Sequence, residues 1–232
     1  MLKKLIGSPV GKKLVTGVTG LGLVAFVLLH MVGNLALLSG DQPYNEYAHF
    51  LTGLGPLFYA VELGLVAFFL FHIVTGIKIW IGKRNARPVG YDRYQTAGGP
   101  SRQTLASRSM IITGLILMVF LVFHVISFKF GPGGPGNADA AYVVAYDGAE
   151  PIRDLAKLVR EKFSTPLYTF GYTAIMLLLI LHLRHGVWSA MQSLGATKPS
   201  LTPAIYSVGG LLGAGIGIGF IFVPLAIYFN LI

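Results

Sequence analysis

The stretch Leu181-His182-Leu183-Arg184-His185-Gly186-Val187-Trp188 lies late in an apolar run that begins near Pro166. Histidine and arginine are costly in hydrocarbon, so their presence in such a run points to function. His182 and Gly186 are four residues apart and share one face of a helix. An imidazole at 182 would therefore project beside a spot with no side chain, against which a flat ring can lie. One histidine alone is better explained by a hydrogen bond to a neighbouring helix. The reading turns on whether other apolar runs carry matching histidines, and three do.

Of the 232 residues, 54% are hydrophobic and 12% are charged. A soluble domain carries about 25% charged residues. With a mean hydropathy of +0.68, the chain reads as an integral membrane protein built as a single membrane domain, 1–232. Cysteine is absent, which excludes structural disulfides and iron–sulfur ligation by thiolates of this chain. No glycine-rich phosphate loop follows a strand-like run. The net charge of +9 sits in loops between apolar runs, so topology explains it better than nucleic acid does.

Five runs are long enough to span a bilayer, which takes about 20 apolar residues. Their expected limits are 14–38, 56–81, 105–130, 166–194 and 203–232, numbered here as spans I to V. The basic start before span I resembles a signal peptide. The run is too long for one, and no small-residue cleavage motif closes it. Residues 39–55 are expected to be a loop carrying Asp41, Glu46 and His49. Gly131 to Gly136 break any helix after span III. Residues 151–163 show helical apolar spacing, as a short amphipathic segment on the membrane surface or an ordinary loop helix. Span V has no ionisable residue, and its glycines at 209, 210, 213, 215, 217 and 219 mark it as scaffold.

Lys and Arg orient the spans. The N-terminus, the II–III loop (with Arg108) and the IV–V loop hold 11 of the 18, and the other two loops hold 5. The excess places the N-terminus in the cytoplasm. Spans I and III then run outward with His30 and His124 late in them. Spans II and IV run inward with His72 and His182 past their middles. This gives two pairs at two depths. A haem iron takes two axial ligands and accepts neutral imidazole, so the pairs predict two six-coordinate haems b stacked across the membrane, on His72/His182 and His30/His124. Four unrelated buried histidines are the bland alternative. A metal cluster would add Cys or carboxylates close by. His185, one turn from His182, competes as a ligand, and the spacing to Gly186 favours His182.

With these residues assembled, the chain resembles the membrane cytochrome b subunit of succinate:quinone oxidoreductases and fumarate reductases, of the five-helix, dihaem type. The likeness rests on an ordered set: Thr16-Gly17, His30 with Gly33-Asn34, the stretch from Asn45 to Phe50, His72-x3-Gly76, Thr113-Gly114 before His124, and His182-x3-Gly186-x-Trp188-Ser189. The resemblance implies an all-α bundle of five helices around two haems, in the cell membrane. It implies the same ligand pairs, an inner haem on His72/His182 and an outer one on His30/His124. It implies a flavoprotein subunit that interconverts succinate and fumarate, an iron–sulfur subunit on the cytoplasmic face, and membrane quinone, menaquinone by expectation, as the substrate. Nucleic acid is not expected as a partner. Some fumarate reductases of this type carry a glutamate two residues before the span IV histidine, where this chain has Ile180. For the quinone's proton the candidates are Glu62, early in span II, and Glu46, in the adjacent loop. Two alternatives stay open: a dihaem anchor of a hydrogenase or formate dehydrogenase, and a haem-free transporter whose histidines relay protons.

Overall fold

The computed structural model describes residues 7–86, 89, 104–196 and 198–232. Lys3, Lys4, Arg87, Arg93 and Arg102, which entered the charge count, lie outside them. The helices are α1 (Pro9–Leu35), α2 (Asp41–Gly53), α3 (Pro56–Asn85), α4 (Leu105–His124), α5 (Leu155–Phe163), α6 (Pro166–Ser193) and α7 (Thr202–Tyr228). Five of them are long and apolar enough to cross a membrane: α1 with the 3-10 turn after it, α3, α4 with the π turn Val125–Lys129, α6 and α7. The protein is an all-α, multi-pass membrane protein. Its described strands are β1 (Val143–Val144) and β2 (Ile152–Arg153), an antiparallel pair.

The helix ends follow from local chemistry. Pro9, Pro56 and Pro166 each open a helix, where a missing N–H costs nothing and the fixed φ is already helical. Ser8 Oγ accepts from the Gly11 N–H at 2.9 Å, satisfying one of the donors that a first turn leaves over. After α6, Gly195 turns the chain at φ +75°, a conformation glycine adopts without penalty. Ala196 N–H then reaches back to Met191 O at 3.0 Å, closing the end of the helix.

The chain packs as two compact units. The first comprises 1–26, 64–115 and 179–215, and holds one end of α1, α3, α4, α6 and α7. Small residues set its helix spacing. A Cβ on Gly17 would sit 3.6 Å from the Ala190 backbone, and one on Gly213 would come within 3.1 Å of Ile180 O and 3.2 Å of Arg184 N. The glycines of α7 thus let it lie on the backbone of α6, as expected of a scaffold helix.

The second unit comprises 27–63, 116–178 and 216–232. Its core joins Leu37, Tyr44, Ala156, Val159, Phe163, Val223 and Ile227. Residues 39–55, expected as a loop, form α2 over Asp41–Gly53 instead. The expectation failed because α2 is short and weakly apolar overall, although Tyr44, Tyr47, Ala48 and Leu51 recur at helical spacing. Packing holds it: Tyr44 and Asn45 are buried. Asn45 is fully buried, donating to Tyr146 Oη and Asp154 Oδ1 at 2.9 Å each and accepting from Ala156 N–H at 2.8 Å. The segment expected at 151–163 is β2 followed by α5, and its apolar face, Ala156, Leu158, Val159 and Phe163, is buried in protein rather than facing lipid.

Arg153 closes the π turn. Its guanidinium donates to Phe128 O at 2.8 Å and to Pro132 O at 2.9 Å, carbonyls left over where the helical ladder ends. Glycine is required alongside, since a Cβ on Gly131 would collide with Ser127 O.

Candidate functional site: two pairs of imidazoles

The first unit brings His72 of α3 against His182 of α6, with ring centroids 6.4 Å apart and planes at 69°. Each ring docks on a Thr and a Gly of another helix. His72 Nδ1 lies 3.3 Å from Thr16 O on α1, and a Cβ on Gly20 of the same helix would come within 3.1 Å of His72 Cε1. His182 Nδ1 lies 3.0 Å from Thr113 Oγ1 on α4, and a Cβ on the adjacent Gly114 would come within 3.3 Å of His182 Cε1. Larger residues at these glycines would push the imidazoles aside.

These partners bear on the tautomers. A carbonyl oxygen only accepts, so His72 carries its proton on Nδ1 and donates it to Thr16. The Thr113 hydroxyl directs its hydrogen to Ser109 O at 3.1 Å and Met110 O at 3.2 Å. With the hydrogen on either carbonyl, its lone pairs accept from His182 Nδ1–H. In His72, and in His182 when Thr113 accepts, Nε2 is left as the nitrogen with a free electron pair, the arrangement in which histidine binds metals. Among the described residues no three His, Asp or Glu side chains converge. The unit of chemistry is a pair of imidazoles, which suits an iron already held by a porphyrin in its equatorial plane. With metal–nitrogen bonds of about 2 Å and roughly 1 Å more to each ring centre, two axial imidazoles have centroids about 6 Å apart. The pair fits such a group. A Cβ on Gly76 or Gly186, the glycines four residues after each histidine, would meet nothing within 4 Å, which is the small-residue setting that a flat ring needs.

His185, the competing ligand, is half-buried one turn along α6. The ring that meets His72 is His182. Arg184 donates to Tyr206 Oη at 3.0 Å and lies 5.1 Å from the centre of that ring.

The second unit brings His30 of α1 against His124 at the end of α4, with centroids 5.7 Å apart and planes at 86°. The spacing suits the same chemistry, but the surroundings differ. His124 sits among Phe120, Phe128 and Tyr172, and Tyr172 Oη lies 3.4 Å from its Nδ1. The Asn34 amide nitrogen donates to His30 O at 2.8 Å and also lies 3.4 Å from His30 Nε2, the nitrogen that a metal would take. Tyr44 holds that orientation by donating to Asn34 Oδ1 at 3.1 Å. Burial pushes the Tyr44 phenol up, with nearby Arg153 pulling it partway down, so Tyr44 stays a donor through neutral pH. Ligation of iron by His30 through Nε2 would require the Asn34 amide to turn aside, whereas the hydrogen-bond contacts of His72 and His182 are made by Nδ1.

Glu62 forms an ion pair with Lys129, the last residue of the π turn. Lys129 also lies near the rings of Phe58 and Phe130, at 5.8 and 5.6 Å. Glu46 sits on the exposed side of α2 and accepts from Gln42 Nε2 at 2.8 Å. Sequence spacing pointed to the four histidines and to Glu62. It did not reveal Thr16 O, Thr113, Asn34, Tyr172 or Lys129 as their partners, because each contact crosses between helices or depends on one rotamer. The Thr-Gly dipeptide at 113–114 carried a signal of the His182 cradle, whereas the His72 cradle pairs Thr16 with Gly20 rather than with Gly17. No family model, no curated protein and no solved structure matches the chain.

Proposed function

We propose that this chain is the dihaem cytochrome b membrane anchor of a succinate dehydrogenase or fumarate reductase complex. One observation carries the reading: two half-buried histidine pairs on four apolar helices, one of them with each Nδ1 held by a threonine of another helix. His72 with His182 would hold one haem b, and His30 with His124 the other. When bound, haem supplies one-electron exchange between ferric and ferrous iron. The chain's own part is to fix the imidazoles, exclude water, and lead electrons between an iron–sulfur subunit on the cytoplasmic face and quinone in the cell membrane. Succinate and fumarate chemistry belongs to a flavoprotein partner. Glu62, paired with Lys129, is the residue best suited to exchange a proton with quinone.

Affinity purification from the native membrane, with haem quantification and identification of bound subunits, tests this. The expected result is two haems b per chain together with a flavoprotein and an iron–sulfur subunit. Two haems with hydrogenase or formate dehydrogenase subunits would reassign the partner. Folded protein with no haem would return the histidines to a proton-relay role.

A further inference from the structure

We propose that Thr113 tunes the electron-donating strength of His182, and through it the midpoint potential of the haem shared by His72 and His182. This rests on the dihaem reading above. Thr113 is 2% exposed, in the interior of α4. With its hydroxyl hydrogen on the Ser109 or Met110 carbonyl of the preceding turn, it accepts from His182 Nδ1–H at 3.0 Å. An imidazole whose N–H is drawn toward an acceptor gains imidazolate character, which makes Nε2 more basic. A more basic ligand favours ferric over ferrous iron and lowers the potential.

The contact is also the replaceable one of the pair. On the His72 side the acceptor is the Thr16 carbonyl, which no side-chain substitution removes. Gly114 brings the backbone of α4 against the Cε1 edge of His182, so the ring is braced against rotating toward a substitute acceptor. Thr113 is therefore a positioning residue that acts through the ligand, and its hydroxyl, not its bulk, is what matters.

The test is an optical redox titration of the purified full-length complex carrying Thr113→Val or Thr113→Ser. Valine keeps the shape and loses the acceptor. Thr113→Val is expected to raise the midpoint of one haem and leave the other in place. A tenfold change in the ferrous-to-ferric ratio at fixed potential reads as about 59 mV for one electron. Thr113→Ser should stay near wild type. Superimposable curves for all three proteins, or equal movement of both haems, overturn the proposal.

A second readout does not depend on the variants keeping haem. In the haem-depleted full-length chain, ¹⁵N-histidine NMR should find His182 protonated at Nδ1, and protonation at Nε2 instead overturns the proposal. A wild-type chain that takes up no haem removes the dihaem reading and the potential claim together. Haem present with an unmoved Thr113→Val midpoint removes the Thr113 claim alone.

Discussion

A carboxylate in an apolar run must be neutralised or reach water, and Glu62 meets that demand with the Lys129 ammonium. Lys129 stands five residues after His124 in the chain, on the π turn that extends α4, and π turns are enriched at functional sites. The ion pair thus joins the start of α3 to the segment that carries a proposed haem ligand. Replacing Glu62 by Gln keeps its size and removes its proton exchange. General acid–base groups contribute typically 10²–10⁴-fold. Glu62→Gln should therefore lower quinone turnover by at least about 100-fold while both haems keep their spectra. Lys129→Met should lower it too, by stranding the carboxylate. Glu46→Gln, on an exposed helix face with Gln42, should leave turnover near wild type. Full activity in Glu62→Gln with loss in Glu46→Gln would move the site to Glu46. Glu62 was legible because charge is rare in an apolar run. Lys129 was not, since it counted as one more loop cation until the fold brought it across 67 residues to Glu62.

At the scale of elements, the long spans were readable because each carries its own signal: apolar length, a proline at the start, small residues at close approaches. The cap of the second unit was not, because α2, the hairpin and α5 stabilise one another. Asn45 is their junction, with one side chain satisfying a phenol, a carboxylate and a backbone N–H. Asp154 itself caps α5 by accepting from Lys157 N–H at 3.0 Å. In Asn45→Asp a second carboxyl would face Asp154 in a buried site. Two such groups cannot both ionise freely, so one holds its proton to a higher pH than in the unfolded chain. The folded state then binds more protons than the unfolded state. Its stability is fully present below the unfolded carboxyl range, near pH 4, and is lost as pH rises through the raised value. A rise of two units corresponds to about 2.7 kcal/mol. Thermal unfolding in detergent should show the gap between wild type and Asn45→Asp widening from pH 4 to pH 7. Asn45→Ala, which introduces no titrating group, should be destabilised by a similar amount at both pH values, and a gap for Asn45→Asp that stays constant with pH would contradict the placement of its side chain against Asp154.

Depth along the spans pairs His30 with His124 and His72 with His182, and the rings meet in those pairs. Each pair lies within one compact unit, so each proposed haem would have its own packing environment. A six-coordinate iron needs both axial ligands, and losing either should damage that haem and spare the other. His72→Ala and His182→Ala are expected to share one spectral defect, and His30→Ala and His124→Ala a different one. Low-spin signals counted by EPR in membranes, alongside haem content per chain, would read this directly. The two pairs should also differ in how readily they fill. His72 and His182 are held at Nδ1 by Thr16 and Thr113, whereas the Asn34 amide lies 3.4 Å from His30 Nε2. Under limiting haem the His72/His182 defect class should therefore be the more severe, because it removes the better prepared of the two sites. His185→Ala should retain two low-spin haems, since His182 is the ring that meets His72. If His185→Ala removed a haem and His182→Ala did not, the ligand would lie one turn along α6 and the Thr113 cradle would need another purpose. If His30→Ala matched His72→Ala, the ligand pairs would have to be redrawn across the two units, and the tautomer argument for Nε2 ligation would lose its footing.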